Sequence, residues 1–427
     1  MKRKKSSRIP GFFKLSRKKK IEIVKDFADL TNKEVKIIEK GIFDSEIRDR
    51  MVENVIGTFP LPYSIAVNFL INKKEYLVPM VTEESSVVAA ACYGARLTRE
   101  SGGISAENLG NLMIGQIYVV DLKNPKRAKL RILKNKQEIL KIANQQKPDL
   151  VKIGGGVRGL EVKLFKSQEI GSVLRIHLLI DTRDAMGANT VNTIIEGTAP
   201  LIEKIVGREA LLKIVSNLAE KRLVKVKAMV TKKALTMKGF SGKEVIQRIV
   251  KAQAIADIDI YRAVTNNKGI LNGMGAVALA TGNDWRALEA GAHGFAAKSG
   301  RYLPLARWRK NKQGDLVGEM TVPITIGILG GIIKIHPISK ISLKILKIKS
   351  AQELAQVIAS VGLVQNLGAL RALVVEGIQS GHMRLHAKNI AMEAGAKGKM
   401  IEKVANKMIR EKRIELGRAK EILEKNI

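Results

Sequence analysis

The chain has 427 residues, enough for two or three domains of ordinary size. Hydrophobic residues form 45% of it and the mean hydropathy is −0.01, which excludes an intrinsically disordered chain and a membrane-embedded one. The single cysteine, Cys92, excludes a disulfide framework and a cysteine-based zinc site, and it points to a reducing compartment.

Basic residues outnumber acidic ones by 75 to 40, a net charge of +35. Such a field attracts polyanions: nucleic acid, anionic lipid, or substrates that carry several phosphates. Because only 4% of the residues are aromatic and base stacking needs aromatic side chains, a nucleic-acid partner is not expected. The longest apolar run, residues 322–333, is shorter than the roughly 20 residues of a membrane span. We therefore expect a cytoplasmic protein with no membrane partner.

The first part of the chain begins with alternating charged and apolar residues over 17–55, which predict short amphipathic helices. Between Ala66 and Met80, two apolar runs flank a polar turn at 72–74, and this pattern predicts a hairpin. Residues 85–95 are small and apolar and predict a closely packed, buried helix.

The middle of the chain has a different pattern, in which predicted strands and helices are interspersed. Its predicted strands and helices are 115–122, 137–145, 160–165, 173–180 and 190–206. The order strand–helix–strand–strand–helix is typical of a small inserted α+β domain of ferredoxin-like type. We expect the second half to return to helices and loops, with a helical appendage over 381–427.

The segment Gly154–Gly159 spells G-x-G-x-x-G, the fingerprint of a Rossmann dinucleotide site. Such a site needs a helix directly afterwards, so that the phosphate meets the helix N-terminus. Here the following residues, 160–165, alternate like a strand. The sequence therefore favours a tight glycine turn over a Rossmann site.

A second small turn, Asp184-Ala-Met-Gly-Ala-Asn189, leads into the helix predicted from Thr190. A turn of this kind offers free N–H groups and the positive end of a helix dipole to a phosphate. An ordinary N-cap by Asn189 explains the same residues, and both interpretations stay open.

Several chemically active side chains lie outside these turns. Lys268 stands among amides and glycines, and with Asp284 it is a candidate for oxyanion stabilisation or for a buried ion pair. Glu84 precedes the small-residue helix and could add a second carboxylate or cap that helix. His382 and His386 share a helical face, but no third ligand is evident, so we expect a catalytic histidine beside a structural one and no metal.

Taken together, these segments resemble hydroxymethylglutaryl-CoA reductase of class II, the soluble bacterial and archaeal form. The matching segments run in order through almost the whole chain, leaving out the extension 1–5: 7–10, 53–57, the Glu84 segment, 150–156, 184–189, 216–219, 265–273, 280–286 and 381–383.

The resemblance implies reduction of hydroxymethylglutaryl-CoA to mevalonate and CoA by two NAD(P)H. It also implies an α+β fold, in which a large substrate-binding domain is interrupted by a small, ferredoxin-like, non-Rossmann cofactor domain and followed by a helical C-terminal flap. The expected boundaries are 1–109 (with a basic segment over 1–20), 110–216, 217–376 and 377–427. The implied assembly is a homodimer with active sites at the subunit interface, or a trimer of such dimers.

The same resemblance assigns roles to residues. Lys268 would stabilise the oxyanion, Glu84 would donate a proton, Asp284 would couple to both, and His382 would protonate the departing CoA thiolate. The implied substrate contacts are Arg8, Ser86, Asn217, Arg262, Asn272 and His386. The implied cofactor contacts are Lys147, Asp184, Met186, Gly187, Ala188 and Asn189.

Cofactor preference is expected to depend on Lys147. NADH-preferring relatives carry an acidic residue at this place, where its charge repels a 2′-phosphate. A lysine attracts that phosphate, so we expect NADPH to be accepted and preferred to NADH, although Asp149 lies only two residues away.

Two other functions compete with this interpretation. A basic RNA- or ribosome-associated protein could keep a reductase fold without activity, but the retained set of Glu84, Lys268, Asp284 and His382 argues against it. A reductase of a different acyl-CoA is disfavoured because Arg262 and its neighbours suit a carboxylated, hydroxylated acyl group.

Overall fold

A computed structural model describes residues 5–40, 51–375 and 377–425, and for 378–385 it describes the backbone alone. The chain forms two β-sheets with helices packed against them, a mixed α+β architecture. The strands are β1 (Tyr63–Ile71), β2 (Lys74–Val81), β3 (Ile104–Asn108), β4 (Leu112–Val119), β5 (Gly156–Ser167), β6 (Gly171–Asp181), β7 (Ala210–Val215), β8 (Leu223–Val230), β9 (Ala306–Lys310) and β10 (Leu316–Pro323).

Helices fill the rest of the described chain, together with short 3₁₀ turns. They are α1 (Arg17–Ala28), α2 (Asn32–Lys40), α3 (Val87–Thr98), α4 (Pro125–Lys134), α5 (Lys136–Gln145), α6 (Pro148–Lys152), α7 (Ala188–Val206), α8 (Lys232–Leu235), α9 (Gly242–Ile258), α10 (Ile260–Ala280), α11 (Trp285–Ala297), α12 (Pro337–Leu346), α13 (Ala351–Val375), α14 (Ile378–Glu393), α15 (Lys399–Arg410) and α16 (Leu416–Glu424).

The strand order of the two sheets shows how the smaller sheet is connected to the larger one. The larger sheet has the order β2-β1-β3-β8-β10-β9, and the smaller has the order β5-β6-β4-β7 with every neighbouring pair antiparallel. Strands β3 and β8 are neighbours in the large sheet, where Asn108 faces Val224. The whole small sheet is therefore inserted between two adjacent strands of the large one.

The predicted hairpin is confirmed as β1 and β2. Its turn residues Asn72 and Lys73 have φ values of 48° and 64°. Two successive positive φ angles define the turn that matches the natural twist of a two-residue hairpin. The strand predicted to follow the glycine run is also confirmed, because β5 begins at Gly156 and no helix follows the turn.

The small-residue helix is confirmed as α3, and its composition is explained by α13. A Cβ on Gly94 would lie 2.2 Å from the carbonyl oxygen of Val364, so only glycine permits this approach. By length and composition alone α13 could cross a membrane, although polar and charged residues interrupt its apolar run. However, 72% of its apolar window is buried inside the protein, which accounts for its composition.

Other expectations need correction. The second half contains the strands β8, β9 and β10 in addition to helices. The segment between β4 and β5 contains α4 and α6, which the pattern did not predict. Helix α7 begins at Ala188 and has Gly187 as its N-cap, so Asn189 is inside the helix and does not cap it. The expected C-terminal appendage is present as α14–α16, which share a small apolar core of their own.

Candidate active site

Lys268 and Glu84 meet although they lie 184 positions apart. Lys268 projects from the middle of α10, and its Nζ lies 2.7 Å from Oε2 of Glu84 in the loop between β2 and α3. Both side chains are open to solvent, with 61% of Lys268 and 39% of Glu84 exposed. This exposure excludes the alternative of a buried structural ion pair, and it leaves both groups accessible to a ligand.

The backbone beside Glu84 is held in an unusual conformation. Ser86, the N-cap of α3, has a φ of 71°, in the left-handed region that side chains other than glycine disfavour. Such conformations cost about 1–3 kcal/mol and are concentrated at functional sites. The loop thereby presents Glu84 towards α10 while the amide of Ala90 bonds back to the Ser86 carbonyl oxygen at 2.8 Å.

Asp284 forms the N-cap of α11. Its Oδ1 accepts hydrogen bonds from the amides of Arg286 and Ala287 at 3.1 Å each, and from Nε of Arg286 at 3.2 Å. Burial raises the pKa of the Asp284 carboxyl, but the bonds from Ala287 and Arg286 outweigh it and hold that pKa below its usual value. These bonds all lie within its own helix, so the coupling to Lys268 and Glu84 stays a prediction.

A further carboxylate near Lys268, in addition to Glu84, was missed by the sequence analysis. Glu289 is half-buried on α11. Burial raises the pKa of its carboxyl, and this effect exceeds the lowering of the pKa by the charges of His293 and Lys268. His293 in turn contacts the hydroxyl of Tyr302 through Nδ1 at 2.7 Å. No spacing signal distinguishes Glu289, because it lies within an ordinary helical pattern.

Arg262, in the first turn of α10, is half-buried, and burial lowers its pKa. Its Nε is buried and has no hydrogen-bond partner among the described residues. A buried guanidinium N–H without an acceptor costs free energy, and a bound anion would supply the missing acceptor. Asn272, half-buried, lies one turn after Lys268 on the same helix.

A large cavity opens beside this region. Its volume is about 1420 Å³, and it is bounded by α1, α3 and residues 59–65. Its wall includes both Arg8 and Ser86, two of the expected substrate contacts. Asn217 lies elsewhere, exposed on the loop between β7 and β8, where its carbonyl oxygen packs against α11.

The turn Asp184–Asn189 has the geometry of an anion site at the start of α7. Gly187 has a φ of 101°, a Cβ there would lie 2.5 Å from Thr182, and no side chain in the described part of the chain caps the helix. The first amides of α7 are therefore left to an external acceptor. The carboxylate of Asp184 accepts instead from the amide of Ala351 at 2.8 Å, which ties this turn to α13.

The remaining expected residues lie at the start of α6 and on α14. Lys147 is the half-buried N-cap residue of α6, while Asp149 is exposed and pairs with Lys152 at 3.1 Å. His386 is exposed on α14, and the side chain of His382 lies outside the described part of the chain. No group of three or more His, Cys, Asp and Glu among the described residues is arranged to hold a metal ion.

Comparison with known proteins identifies the family of the chain. The family model described as hydroxymethylglutaryl-coenzyme A reductase matches residues 16–387. The 3-hydroxy-3-methylglutaryl-coenzyme A reductase of Archaeoglobus fulgidus is 49% identical over 98% of this chain and 95% of its own. The probable enzyme of Borreliella burgdorferi is 39% identical over 80% of this chain and 77% of its own.

Solved structures give the same result. The 3-hydroxy-3-methylglutaryl-coenzyme A reductase of Streptococcus pneumoniae superposes with a TM-score of 0.83 and 41% identity, covering 98% of this chain and 99% of that one. The class II enzyme of the same organism, solved with NADPH in open conformations, has a TM-score of 0.82 and 42% identity over 86% and 99%. The fold and the site thus define an oxidoreductase. The chain belongs to the hydroxymethylglutaryl-coenzyme A reductase family.

Proposed function

We propose that this chain reduces 3-hydroxy-3-methylglutaryl-CoA to mevalonate and free CoA, the step that commits carbon to mevalonate. The observation that carries the proposal is the solvent-accessible Lys268–Glu84 pair, 2.7 Å apart. Two hydrides and two protons convert the thioester into a primary alcohol and a thiol, so two NADPH are consumed per substrate. The opposite, degradative direction uses the same groups.

Lys268 stabilises negative charge on the substrate oxygen. When the thioester carbon is reduced its oxygen becomes an oxyanion, and an ammonium already in place costs no reorganisation at that moment. Glu84, in contact with the ammonium, must enter this step as the carboxylic acid, and it then delivers the proton that neutralises the oxygen and is left as a carboxylate. Asp284, which its helix keeps ionised, adds a negative charge that favours the protonated form of Lys268.

Release of CoA requires a proton on sulfur. His382, on the first helix of the C-terminal appendage, is the residue we assign to protonate the thiolate. Its imidazolium is acidic enough near neutral pH for this transfer. The appendage acts as a flap, an assignment supported by its separate apolar core, since an element with its own core can move as a unit.

The acyl group is recognised by α10 and its neighbours. Arg262 pairs with the free carboxylate of the substrate, which satisfies its buried Nε. The other contacts to acyl group and CoA are Arg8, Ser86, Asn217, Asn272 and His386. A basic chain with Arg8 on the cavity wall suits the phosphates of CoA.

The turn Asp184–Asn189 is assigned to the cofactor. The N-terminus of α7, which no side chain of the described residues caps, suits a phosphate group. NADPH supplies the hydride when bound, and the S. pneumoniae enzyme is described as bound to NADPH. Met186, Gly187, Ala188 and Asn189 would contact the cofactor directly, while Lys147 would favour a 2′-phosphate and hence NADPH over NADH.

The small domain is assigned a ferredoxin-like topology. The strand order β5-β6-β4-β7 with antiparallel neighbours, and helices after its first and third strands, support this assignment. The corresponding domain boundaries are 1–109 and 217–376 for the large domain, 110–216 for the small one, and 377–427 for the flap. The insertion of β4–β7 between β3 and β8 supports these limits.

The protein is assigned as a cytoplasmic homodimer, or a trimer of dimers, with active sites at the subunit interface. Support comes from apolar side chains exposed next to Arg262, where Ile258 is 80% and Tyr261 83% exposed. Exposed apolar residues that cluster beside a site favour coverage by another subunit.

A spectrophotometric assay tests the function. Oxidation of NADPH and NADH should depend on hydroxymethylglutaryl-CoA, with mevalonate identified as product, and mevalonate plus CoA should reduce NADP⁺ in the opposite direction. Butyryl-CoA, which lacks the carboxylate that Arg262 is assigned to bind, is the matched control and should not be turned over. A folded protein without turnover, or equal rates with both thioesters, would overturn the proposal.

A further inference from the structure

We infer that Arg222 is a positioning residue that fixes the cofactor turn Asp184–Asn189 relative to Asp284, through the loop 324–328. The inference rests on the proposed function, because it assumes that the turn holds NADPH. Arg222 lies directly before β8, where the chain returns from the small sheet to the large one. Arg222 therefore lies between the turn assigned to the cofactor and the region that contains Asp284.

The guanidinium of Arg222 joins two separate segments. It donates to the carbonyl oxygen of Met186 at 3.0 Å and to that of Ile326 at 2.9 Å. Longer bonds of 3.4 Å reach the carbonyl oxygen of Ala185 and the hydroxyl of Thr182. Since only 5% of Arg222 is exposed, water cannot easily replace these donors.

The acceptors of Arg222 are neutral. No carboxylate of the described residues forms a salt bridge with it, and burial lowers its pKa to about 10 against the more distant charges of Asp181 and Asp184. A buried cation without a counter-ion is costly, and an apolar side chain would fill the space at lower cost. A requirement to hold particular backbone carbonyls explains why an arginine stands here.

The loop 324–328 continues the connection to the catalytic region. The amide of Gly327 donates to Oδ1 of Asn283 at 2.7 Å, and Asn283 directly precedes Asp284. A Cβ on Gly327 would lie 2.4 Å from the amide nitrogen of Met186, so the loop and the cofactor turn are in direct contact. Arg222 and Asn283 thus link the turn to Asp284 through buried groups.

This connection has a catalytic consequence. Hydride transfer needs donor and acceptor carbons in contact, and a displacement of about 1 Å can cost about 100-fold in rate. Loss of the guanidinium leaves the carbonyls of Met186 and Ile326 without donors, which allows the turn to shift relative to Asp284. Cofactor affinity should therefore suffer more than substrate affinity.

The test compares Arg222→Met and Arg222→Lys with the control Arg99→Met. Arg99 is another largely buried arginine, which donates to the Asn68 carbonyl oxygen at 3.1 Å and pairs with Glu75 at 2.6 Å. NADPH dissociation constants come from fluorescence titration without substrate, alongside KM for both substrates and the melting temperature. Arg222→Met should weaken NADPH binding at least tenfold and leave KM for hydroxymethylglutaryl-CoA within twofold.

The conservative variant and the control sharpen the result. Arg222→Lys should be intermediate, because an ammonium keeps the charge but not the planar pair of donors. Arg99→Met should lower the melting temperature and leave NADPH affinity within twofold. Unchanged NADPH affinity in folded Arg222→Met, or in Arg222→Lys if the first variant does not fold, overturns the inference. So does an equal rise of both KM values. Wild-type protein that neither binds nor oxidises NADPH would instead overturn the proposed function.

Discussion

Replacement of Lys268 by alanine should remove nearly all turnover while the protein stays folded. The ion pair with Glu84 joins two exposed groups, 61% and 39% accessible, and such pairs contribute about 0–1 kcal/mol to stability. A preorganised donor at an oxyanion is worth about 3–4 kcal/mol, or about 100- to 1000-fold in rate. The catalytic loss should therefore greatly exceed the loss of stability.

The assay is single-turnover oxidation of NADPH by hydroxymethylglutaryl-CoA, combined with thermal unfolding. The matched control is Lys344→Ala, which breaks an ion pair with Glu34, at 2.8 Å, between two residues that have no assigned role in the site. We expect the control to keep wild-type turnover. If Lys268→Ala retained more than about a tenth of wild-type turnover with chemistry limiting the rate, the assigned role would be wrong.

Three further predictions follow from the same geometry. His382→Gln should slow reduction of hydroxymethylglutaryl-CoA far more than reduction of supplied mevaldehyde, because only the thioester expels a thiolate. Deletion of 378–427 should have the same effect, and an equal loss of rate with both substrates would contradict the assignment. Lys147→Asp should move kcat/KM from NADPH towards NADH by up to about fivefold, since a surface charge pair contributes up to about 1 kcal/mol. A wild-type preference for NADH that the change leaves intact would refute this. Burial raises the pKa of Glu75, but bonds from Arg99 and Ser7 lower it to about 2 from an ordinary 4.5. That stabilisation, about 3 kcal/mol, is present above the unfolded pKa and is lost as the pH falls through it towards 2. Urea unfolding should therefore show a steeper loss of stability below pH 5 in wild-type protein than in Glu75→Gln, and parallel curves would contradict the reasoning.

The sequence pattern correctly predicted those elements that are determined by residues close together in the chain. The hairpin followed from two apolar runs around Asn72 and Lys73, and the strand after the glycine run followed from the alternation at 160–165. Strand β8 was missed because its signal depends on partners distant in sequence: it pairs with β3, about 120 residues earlier. Strands β9 and β10 form a local hairpin in which Lys310 faces Leu316, and the sequence analysis did not recognise that pattern. The start of α7 was misplaced because Gly187 takes the N-cap position that Asn189 suits by type.

The site was predicted unevenly for similar reasons. Lys268 stood out because a charged residue among amides and glycines breaks the usual pattern of a solvated helix. No sequence pattern distinguished Arg222, because in a chain with 75 basic residues an arginine before a strand is expected to be a surface charge. Its burial against the Met186 and Ile326 carbonyl oxygens results from tertiary packing alone. Single-chain spacing cannot predict such contacts.

The most direct test of the central claim is the stoichiometry of the complete reaction. Purified protein is given limiting hydroxymethylglutaryl-CoA and excess NADPH, and NADPH consumed is compared with free thiol released and mevalonate formed. Because the site must reduce a thioester to an alcohol, the account predicts two NADPH oxidised per thiol and per mevalonate. One NADPH per thiol with accumulation of free aldehyde, or no substrate-dependent oxidation, would contradict it.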